Sequence, residues 1–356
     1  MMRAHRFRYH AARSLADAAA ALRDAGPGAM LLAGGTDLVP NMKRRQQTPP
    51  FVISLRRVPE LRGLAARPDG SVAIGACVTL SDLVADAHLR ACYRALWRAA
   101  AQISTPQLRN MGTLGGNLCL DTRCNYYNQN YEWRKAISFC MKAPTGAAIA
   151  QPDGGICWVA PSSPRCWAVS STDAAPALIA LAARVTLTST QGQRAIPLAD
   201  LYADDGMTYL TKRPDEILTS VELPPAAAGW RSTYWKLRRR GSIDFPVLGV
   251  AAAVRLGAGG AVVEARVVLG AVASHPVVVD TQALLGRPLS DAAIDAFADG
   301  AAWHAKPLDN TDFALGWRKK VARSYLAGAL RELRGDDPAA LGLLARRAAT
   351  LLPVVA

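Results

Sequence analysis

Ala29-Met30-Leu31-Leu32-Ala33-Gly34-Gly35-Thr36-Asp37-Leu38 is a short apolar run that breaks on two glycines and resumes past an acidic residue. A run of this kind, ended by such a break, reads as a buried strand. Paired glycines directly after a strand let the backbone turn sharply and bring amide N–H groups against an anion. Thr36 adds a hydroxyl donor. Further on, Asn110-Met111-Gly112-Thr113-Leu114-Gly115-Gly116-Asn117 has the same chemistry, with Thr113 and Asn117 flanking the glycine pair. Two such loops in one region fit a dinucleotide pyrophosphate gripped from two sides. Neither is a G-x-G-x-x-G or a G-x-x-x-x-G-K-S/T, so the Rossmann and P-loop signatures are absent. A lone Gly-Gly pair is also an ordinary turn.

Around these loops the chain alternates helix and strand. Ser14 to Arg23 reads as an Ala/Leu-rich helix with Ser14 as N-cap, and Phe51 to Leu55 as a strand. Ser71 to Val78 reads as a strand, Thr79-Leu80-Ser81-Asp82 as a capping box with Asp in place of Glu, and Ala91 to Gln102 as a helix. After Asp173, Ala174 to Ala183 reads as a helix and Val185 to Ser189 as a strand. Val221 to Leu223, Ser232 to Leu237, Gly249 to Leu256 and Ala261 to Leu269 read as strands of a second sheet, with helices over Asp291 to Ala302 and Phe313 to Leu333. The class is α+β.

The chain has 356 residues, 51% hydrophobic and 20% charged, enough apolar material for two or three domains. Its net charge of +14 suits an anionic partner: a nucleic acid, a nucleotide cofactor or an acidic protein surface. Met1 to His10 is basic without an apolar core, so it is not read as a signal peptide. No apolar stretch has the ~18 uninterrupted residues of a membrane span. The expected location is cytoplasmic, where disulfides are rare.

That bears on the seven cysteines. Cys77 and Cys92 read as small buried apolar side chains. The other five, Cys119, Cys124, Cys140, Cys157 and Cys166, cluster in a segment over 118–170 without helix or strand period, together with seven aromatics. A structureless stretch of this length needs its own reason to be ordered, and a bound metal centre supplies one.

Leu32-Ala33-Gly34-Gly35-Thr36-Asp37-Leu38 and Thr105-Pro106-Gln107-Leu108-Arg109-Asn110-Met111-Gly112-Thr113-Leu114-Gly115-Gly116-Asn117 resemble the FAD-binding subunits of the xanthine dehydrogenase family. Trp235-Lys236-Leu237-Arg238 and Asp309-Asn310-Thr311 carry the same resemblance, which spans roughly residues 5–335. It implies a two-part FAD-binding domain of the vanillyl-alcohol-oxidase/PCMH type over 1–220, interrupted by the 118–170 insert. An α+β domain, a sheet with packed helices, would follow over 221–335, then a tail over 336–356. By resemblance Leu31, Leu32, Ala33, Gly34, Gly35, Thr36, Asp37 and Leu38, with Thr113, Leu114, Gly115, Gly116 and Asn117, hold the FAD pyrophosphate. Asp173 is implied near the flavin's sugar-alcohol chain, Lys236 near the isoalloxazine, and Ile103 packed on the ring. The residues alone leave Asp173 equally an N-cap and Lys236 equally a solvated strand residue.

The insert itself resembles that of one branch, the β subunits of 4-hydroxybenzoyl-CoA reductases. The matching stretches are Leu120-Asp121-Thr122-Arg123-Cys124-Asn125-Tyr126-Tyr127-Asn128-Gln129-Asn130, Phe139-Cys140-Met141-Lys142 and the run from Cys157 to Val169. The resemblance implies a [4Fe–4S] cluster on Cys124, Cys140, Cys157 and Cys166, with Cys119 as non-ligand. Residues 143–155 look longer than the branch's usual link. Four thiolates suit such a cluster, and their 15, 16 and 8 intervening residues are unlike the paired knuckles of zinc ribbons. Arg123, Arg134, Lys142 and Arg165 would offset its charge.

The implied role is electron transfer from ferredoxin through [4Fe–4S] and FAD. The partners would be a small [2Fe–2S] subunit and a large molybdenum-cofactor subunit, in a dimer of heterotrimers that converts 4-hydroxybenzoyl-CoA to benzoyl-CoA. No catalytic residue is expected in this chain, and its five histidines are scattered. One alternative keeps the flavin in a dehydrogenase that hydroxylates an aromatic or N-heterocycle. An alternative of another class is a basic, zinc-containing nucleic-acid-binding module. The basic residues are dispersed, however, and no nucleic-acid motif is present.

Overall fold

Ser14 accepts a hydrogen bond from Asp17 N at 3.1 Å and starts the first helix, which ends at Gly26 in the left-handed region, φ +73°. Such local chemistry sets most element ends in the computed structural model, which describes residues 3–142, 155–226, 229–337 and 340–341. The 143–155 excursion, apart from Gly155, and most of the 336–356 tail lie outside the described residues.

In chain order the first part comprises β1 (Arg8–Ala11), α1 (Leu15–Ala25), β2 (Ala29–Leu32), α2 (Leu38–Lys43), β3 (Phe51–Ser54), β4 (Leu64–Ala66), β5 (Val72–Gly75), α3 (Leu80–Ala85), α4 (Ala87–Cys92), α5 (Arg94–Gln102), α6 (Pro106–Arg109) and α7 (Leu114–Leu118). The described residues of the cysteine-bearing segment contribute one short helix, α8 (Tyr131–Ala136). Then follow α9 (Ala174–Ala180), β6 (Arg184–Ser189), β7 (Gly192–Pro197) and β8 (Ile217–Leu223). The last part holds β9 (Trp230–Leu237), β10 (Leu248–Leu256), β11 (Val262–Gly270), β12 (Val277–Val279), α10 (Asp291–Ala302) and α11 (Leu315–Arg334).

Among the described residues, three sheets result. β1-β3-β2 is parallel, with β3 central. β4-β5-β8-β6-β7 is antiparallel, and so is β12-β11-β10-β9. The α+β class is therefore observed, as one small sheet beside two larger ones. One strand differs from its sequence reading. Val221–Leu223 lies in β8, which pairs with β5 and β6 rather than with the later strands. Its alternating buried pattern suits either sheet; the partner is a long-range choice. The helix expected over Ala91–Gln102 is two helices, because Tyr93, φ −125° and ψ 53°, interrupts it and Asp86 caps the earlier one.

The halves are packed together. α9 is buried throughout, and Pro176 in it lies so close to β11 that a Cβ on Gly270 would stand 2.7 Å from its Cγ. Across β9, a buried polar knot joins α5 to α11. Glu332 accepts from Arg98 Nη1 at 2.8 Å, Thr233 Oγ1 at 2.8 Å and Trp235 Nε1 at 2.7 Å. Burying a carboxylate is tolerable only with such a complement of donors.

Gly328, within α11, is where Trp235 packs. A Cβ there would lie 2.4 Å from two atoms of the indole. Alanine gains up to ~1 kcal/mol of helix propensity over glycine, while overpacking costs about 1–3 kcal/mol. Gly328→Ala is therefore expected to lower the thermal midpoint; a raised midpoint in scanning calorimetry would refute this packing.

Candidate functional site

The chain turns at the end of β2 through Gly35, φ +74°, and enters α2. Gly34 is pressed against the second glycine loop: a Cβ there would lie 1.8 Å from the Met111 carbonyl oxygen. Only glycine permits this backbone contact. The second loop follows α6 and is held in turn. Leu80 N donates to Gly112 O at 2.9 Å, Leu114 N to Val78 O at 3.0 Å, and Gly116 N to the Thr113 hydroxyl at 3.1 Å. Gly115 lies against Ala76, where a Cβ would stand 2.7 Å from the alanine Cβ.

Between the loops lies a cavity of about 410 Å³, within the range of cofactor pockets. Its wall includes Leu31, Leu32, Ala33, Gly34, Gly35, Thr36, Asp37 and Leu38, then Ile103, Thr113, Gly115, Gly116, Asn117 and Asp173. Two expected residues are not on that wall. Leu114 is wholly buried in the core behind it. Lys236 is also buried, its ammonium donating to Asp173 Oδ2 at 2.9 Å and Gln102 O at 3.0 Å.

Lys236 thus stands behind Asp173 rather than on the cavity surface, and it is no solvated strand residue. Tyr234 Oη donates to the other Asp173 oxygen at 2.8 Å. Burial pushes the Asp173 carboxyl up and the Lys236 ammonium down, and their mutual attraction opposes both shifts. Asp173 makes no side-chain cap to α9. Asn117 does that work: its Oδ1 accepts from Ala174 N at 3.1 Å and Thr172 Oγ1 at 2.7 Å. The Gln102 and Ile103 carbonyls are clamped by Lys236, Arg238 and Arg109 at 2.9–3.0 Å, which presents Ile103 to the cavity.

Sequence reasoning missed Ile243-Asp244-Phe245, which also line the cavity from the β9–β10 connection. Ile243 has φ +64°, a strained value for a β-branched residue, and its N–H donates to Ser104 O at 3.0 Å. The signal was two large apolar residues in a run of arginines and polar residues. Asp37 is half-held by Arg123 and accepts from Asn41 Nδ2 at 2.9 Å; burial raises its carboxyl, opposed by the Arg123 charge.

The insert cysteines line a second, separate cavity. Cys124, Cys140, Cys157 and Cys166 all line one small cavity with Tyr126, Tyr127, Met141, Lys142, Trp158, Val159 and Ala168. Cys119 lines the large cavity instead. The void among the thiols is about 10 Å³, and among the described residues no group of three or more His, Cys, Asp or Glu is arranged to hold a metal ion. Burial pushes the Cys124 thiol up to about 12 and Cys166 to about 11. As free groups they are therefore neutral thiols.

Of the four basic residues expected around them, only Lys142 lines this cavity. Arg123 turns to Asp37, Arg134 to the Arg44 and Arg45 carbonyls, and Arg165 to Asp204 and Trp167. Cys77 is buried as expected, but Cys92 is exposed, its thiol 3.7 Å from His88 Nδ1.

The chain matches the FAD binding domain in molybdopterin dehydrogenase over residues 5–226 and the CO dehydrogenase flavoprotein C-terminal domain over residues 232–333. It is similar to the aldehyde oxidoreductase FAD-binding subunit PaoB of Escherichia coli K12, 33% identical over 85% of this chain and 92% of that one. It is also similar to the carbon monoxide dehydrogenase medium chain of Hydrogenophaga pseudoflava, 30% identical over 91% of this chain and 96% of that one. Among solved structures, reconstituted CO dehydrogenase from Oligotropha carboxidovorans superposes with a TM-score of 0.75 at 26% identity, over 94% of this chain and 100% of that one. Two glycine loops in backbone contact, a cavity between them and matches across both halves lead to one conclusion: the chain belongs to the FAD-binding subunits of the xanthine dehydrogenase and CO dehydrogenase family of molybdenum hydroxylases.

Proposed function

We propose that this chain is the flavin- and iron–sulfur-carrying electron-transfer subunit of a 4-hydroxybenzoyl-CoA reductase. In this reading it takes electrons from a reduced ferredoxin in the cytoplasm. It delivers them toward a small [2Fe–2S] subunit and a large molybdenum-cofactor subunit, which removes the phenolic hydroxyl of 4-hydroxybenzoyl-CoA. The assembly is a dimer of heterotrimers. The domain division is 1–220, with the insert, and 221–335.

The observation that carries this reading is the thiol quartet. Four cysteines spread from 124 to 166 line a single cavity on an insert, a donor set that selects an iron–sulfur cluster or zinc over hard metals. Their 15, 16 and 8 intervening residues are unlike the paired knuckles of zinc ribbons. Entry of a cluster would part the side chains around the present void. Tyr126, Tyr127 and Trp158 would then exclude water, and the buried Lys142 would offset negative charge.

FAD supplies a carrier that accepts two electrons together or one at a time, and a [4Fe–4S] cluster supplies a one-electron carrier. The chain's own contribution is placement. The backbone of 33–37 and 113–117 would hold the pyrophosphate, Asp173 the sugar-alcohol chain and Ile103 the ring, with Lys236 positioning Asp173 from behind. A second reading is favoured by the similarity to an aldehyde oxidoreductase subunit: the same flavin site in a complex that oxidises its substrate. No residue here contacts the substrate in either case. The dispersed basic residues and the family match give the nucleic-acid alternative no support.

Two outcomes are expected. Gly34→Ala forces a methyl group into the Met111 carbonyl, so most of the flavin absorbance per protein should be lost. Gly63→Ala, where a Cβ meets nothing within 4 Å, should keep it. Equal flavin in both variants would show that the loop contact does not shape the flavin site. Anaerobically purified protein should contain about four iron and four acid-labile sulfide per FAD, with a [4Fe–4S] signal in the dithionite-reduced EPR spectrum that Cys140→Ser abolishes. Stoichiometric zinc without sulfide, or neither metal with FAD present, would sink the cluster and leave the oxidising flavoprotein reading.

A further inference from the structure

One short stretch of chain borders both cavities. Cys119, Leu120 and Asp121 line the flavin-side cavity, and Cys124, three residues on, lines the cysteine cavity. A buried ion pair joins the two sides of this stretch. Lys142 lines the cysteine cavity, and its ammonium donates to Asp121 Oδ1 at 2.7 Å, Thr122 Oγ1 at 2.7 Å and Gly206 O at 2.5 Å. Asp121 lines the flavin-side cavity, and its other oxygen accepts from Gln47 Nε2 at 3.1 Å.

The rings flanking the ammonium repeat this division. Tyr127, at 5.2 Å, belongs to the cysteine cavity and Tyr209, at 5.3 Å, to the flavin-side cavity. Gly206 completes the seat. A Cβ there would lie 2.7 Å from Cys166 Sγ, so the carbonyl that fixes Lys142 belongs to a residue packed on a cavity thiol. The side chains of Lys142 and Asp121 are 9% and 7% exposed. All three ammonium protons have acceptors, so the charge is held in place and is poorly screened by water.

A fixed cation beside a redox centre favours an added electron, and a fixed anion disfavours it. Because the pair joins the two sides of this stretch, its two ends act on two different centres. We propose that the Asp121–Lys142 pair is a shared electrostatic element of both redox sites. The Lys142 ammonium stabilises the reduced state of a cluster on the four cysteines, and the Asp121 carboxylate disfavours reduction of the flavin. The pair thereby lowers the driving force for an electron moving from cluster to flavin. This rests on the cluster reading above.

The test is an anaerobic redox titration of the holoenzyme, following the cluster by EPR and the flavin by visible absorbance. Lys142→Met should move the cluster midpoint to more negative potential, and Lys142→Arg should hold it near the wild-type value. Asp121→Asn, which keeps the shape and removes the anion, should move both cluster and flavin midpoints to more positive potential. Shifts of opposite sign at one ion pair are not produced by loosened packing. Cluster-loaded Lys142→Met and Asp121→Asn that both titrate at the wild-type potentials, or that move the cluster in the same direction, would overturn the proposal and leave the cluster reading standing. If Lys142→Met cannot retain a cluster, the sign of the Asp121→Asn shift decides. A wild-type protein without iron and sulfide would overturn the cluster reading and this proposal with it.

Discussion

The close approach of Gly34 to the Met111 carbonyl is the constraint on which the large cavity depends. It brings the turn after β2 onto the turn before α7, two segments separated by nearly eighty residues. Once these backbones touch, glycines of both loops lie on the wall of the cavity between them, and hydrogen bonds hold the neighbouring segments. Asn117, at the end of the second loop, caps the start of α9. That places Asp173, and Asp173 in turn gathers Tyr234 and Lys236 from β9. Buried charges of this kind persist only where each has its partner. The network therefore fixes the last sheet relative to the cavity.

The cysteine insert leaves this arrangement undisturbed because its ends meet. Thr172 bonds Asn117 across it, and Arg123 and Val169 exchange backbone hydrogen bonds at 2.8 and 2.7 Å. With little regular structure among its described residues, the insert is held by neighbours. Asn310, on the connection before α11, accepts from Asn125 N at 2.8 Å and donates to Trp167 O at 2.6 Å. It thus holds the residue following each of two cavity cysteines, Cys124 and Cys166. Ser170 N donates to Ala273 O from the same side. The last domain is in this way a support for the insert as well as for the large cavity.

The net charge of +14 invites a surface explanation, yet several cations are interior. Arg318 is buried and donates to the Leu308, Val247 and Ala271 carbonyls, and burial pushes its guanidinium down to about 10. Arg109, Arg238 and Lys236 likewise hold carbonyls beside the cavity. These residues brace irregular backbone, a use to which guanidinium groups are suited by their several donors. The surplus is thus partly architectural rather than a footprint for a polyanion.

Features set by neighbours in sequence could be read directly. Ser14 as a cap, the Thr79–Asp82 capping box, the strand Ala29–Leu32 and the helix Asp291–Ala302 depend on hydrogen bonds or periodicity within a few residues, and each stands where it was expected. The two glycine loops and the four insert cysteines were also visible, because their residue types are unusual for their surroundings. What the sequence left open was every question of partner. It did not say that β8 joins the earlier sheet, that Lys236 lies behind Asp173, that Leu114 faces the core, or that Cys92 is exposed. Nor did it single out Lys142 among four basic residues or place Ile243 at the cavity. Side-chain chemistry is carried by the residue itself, but its direction is decided by packing between segments far apart in the chain, and only the tertiary structure brings those segments together.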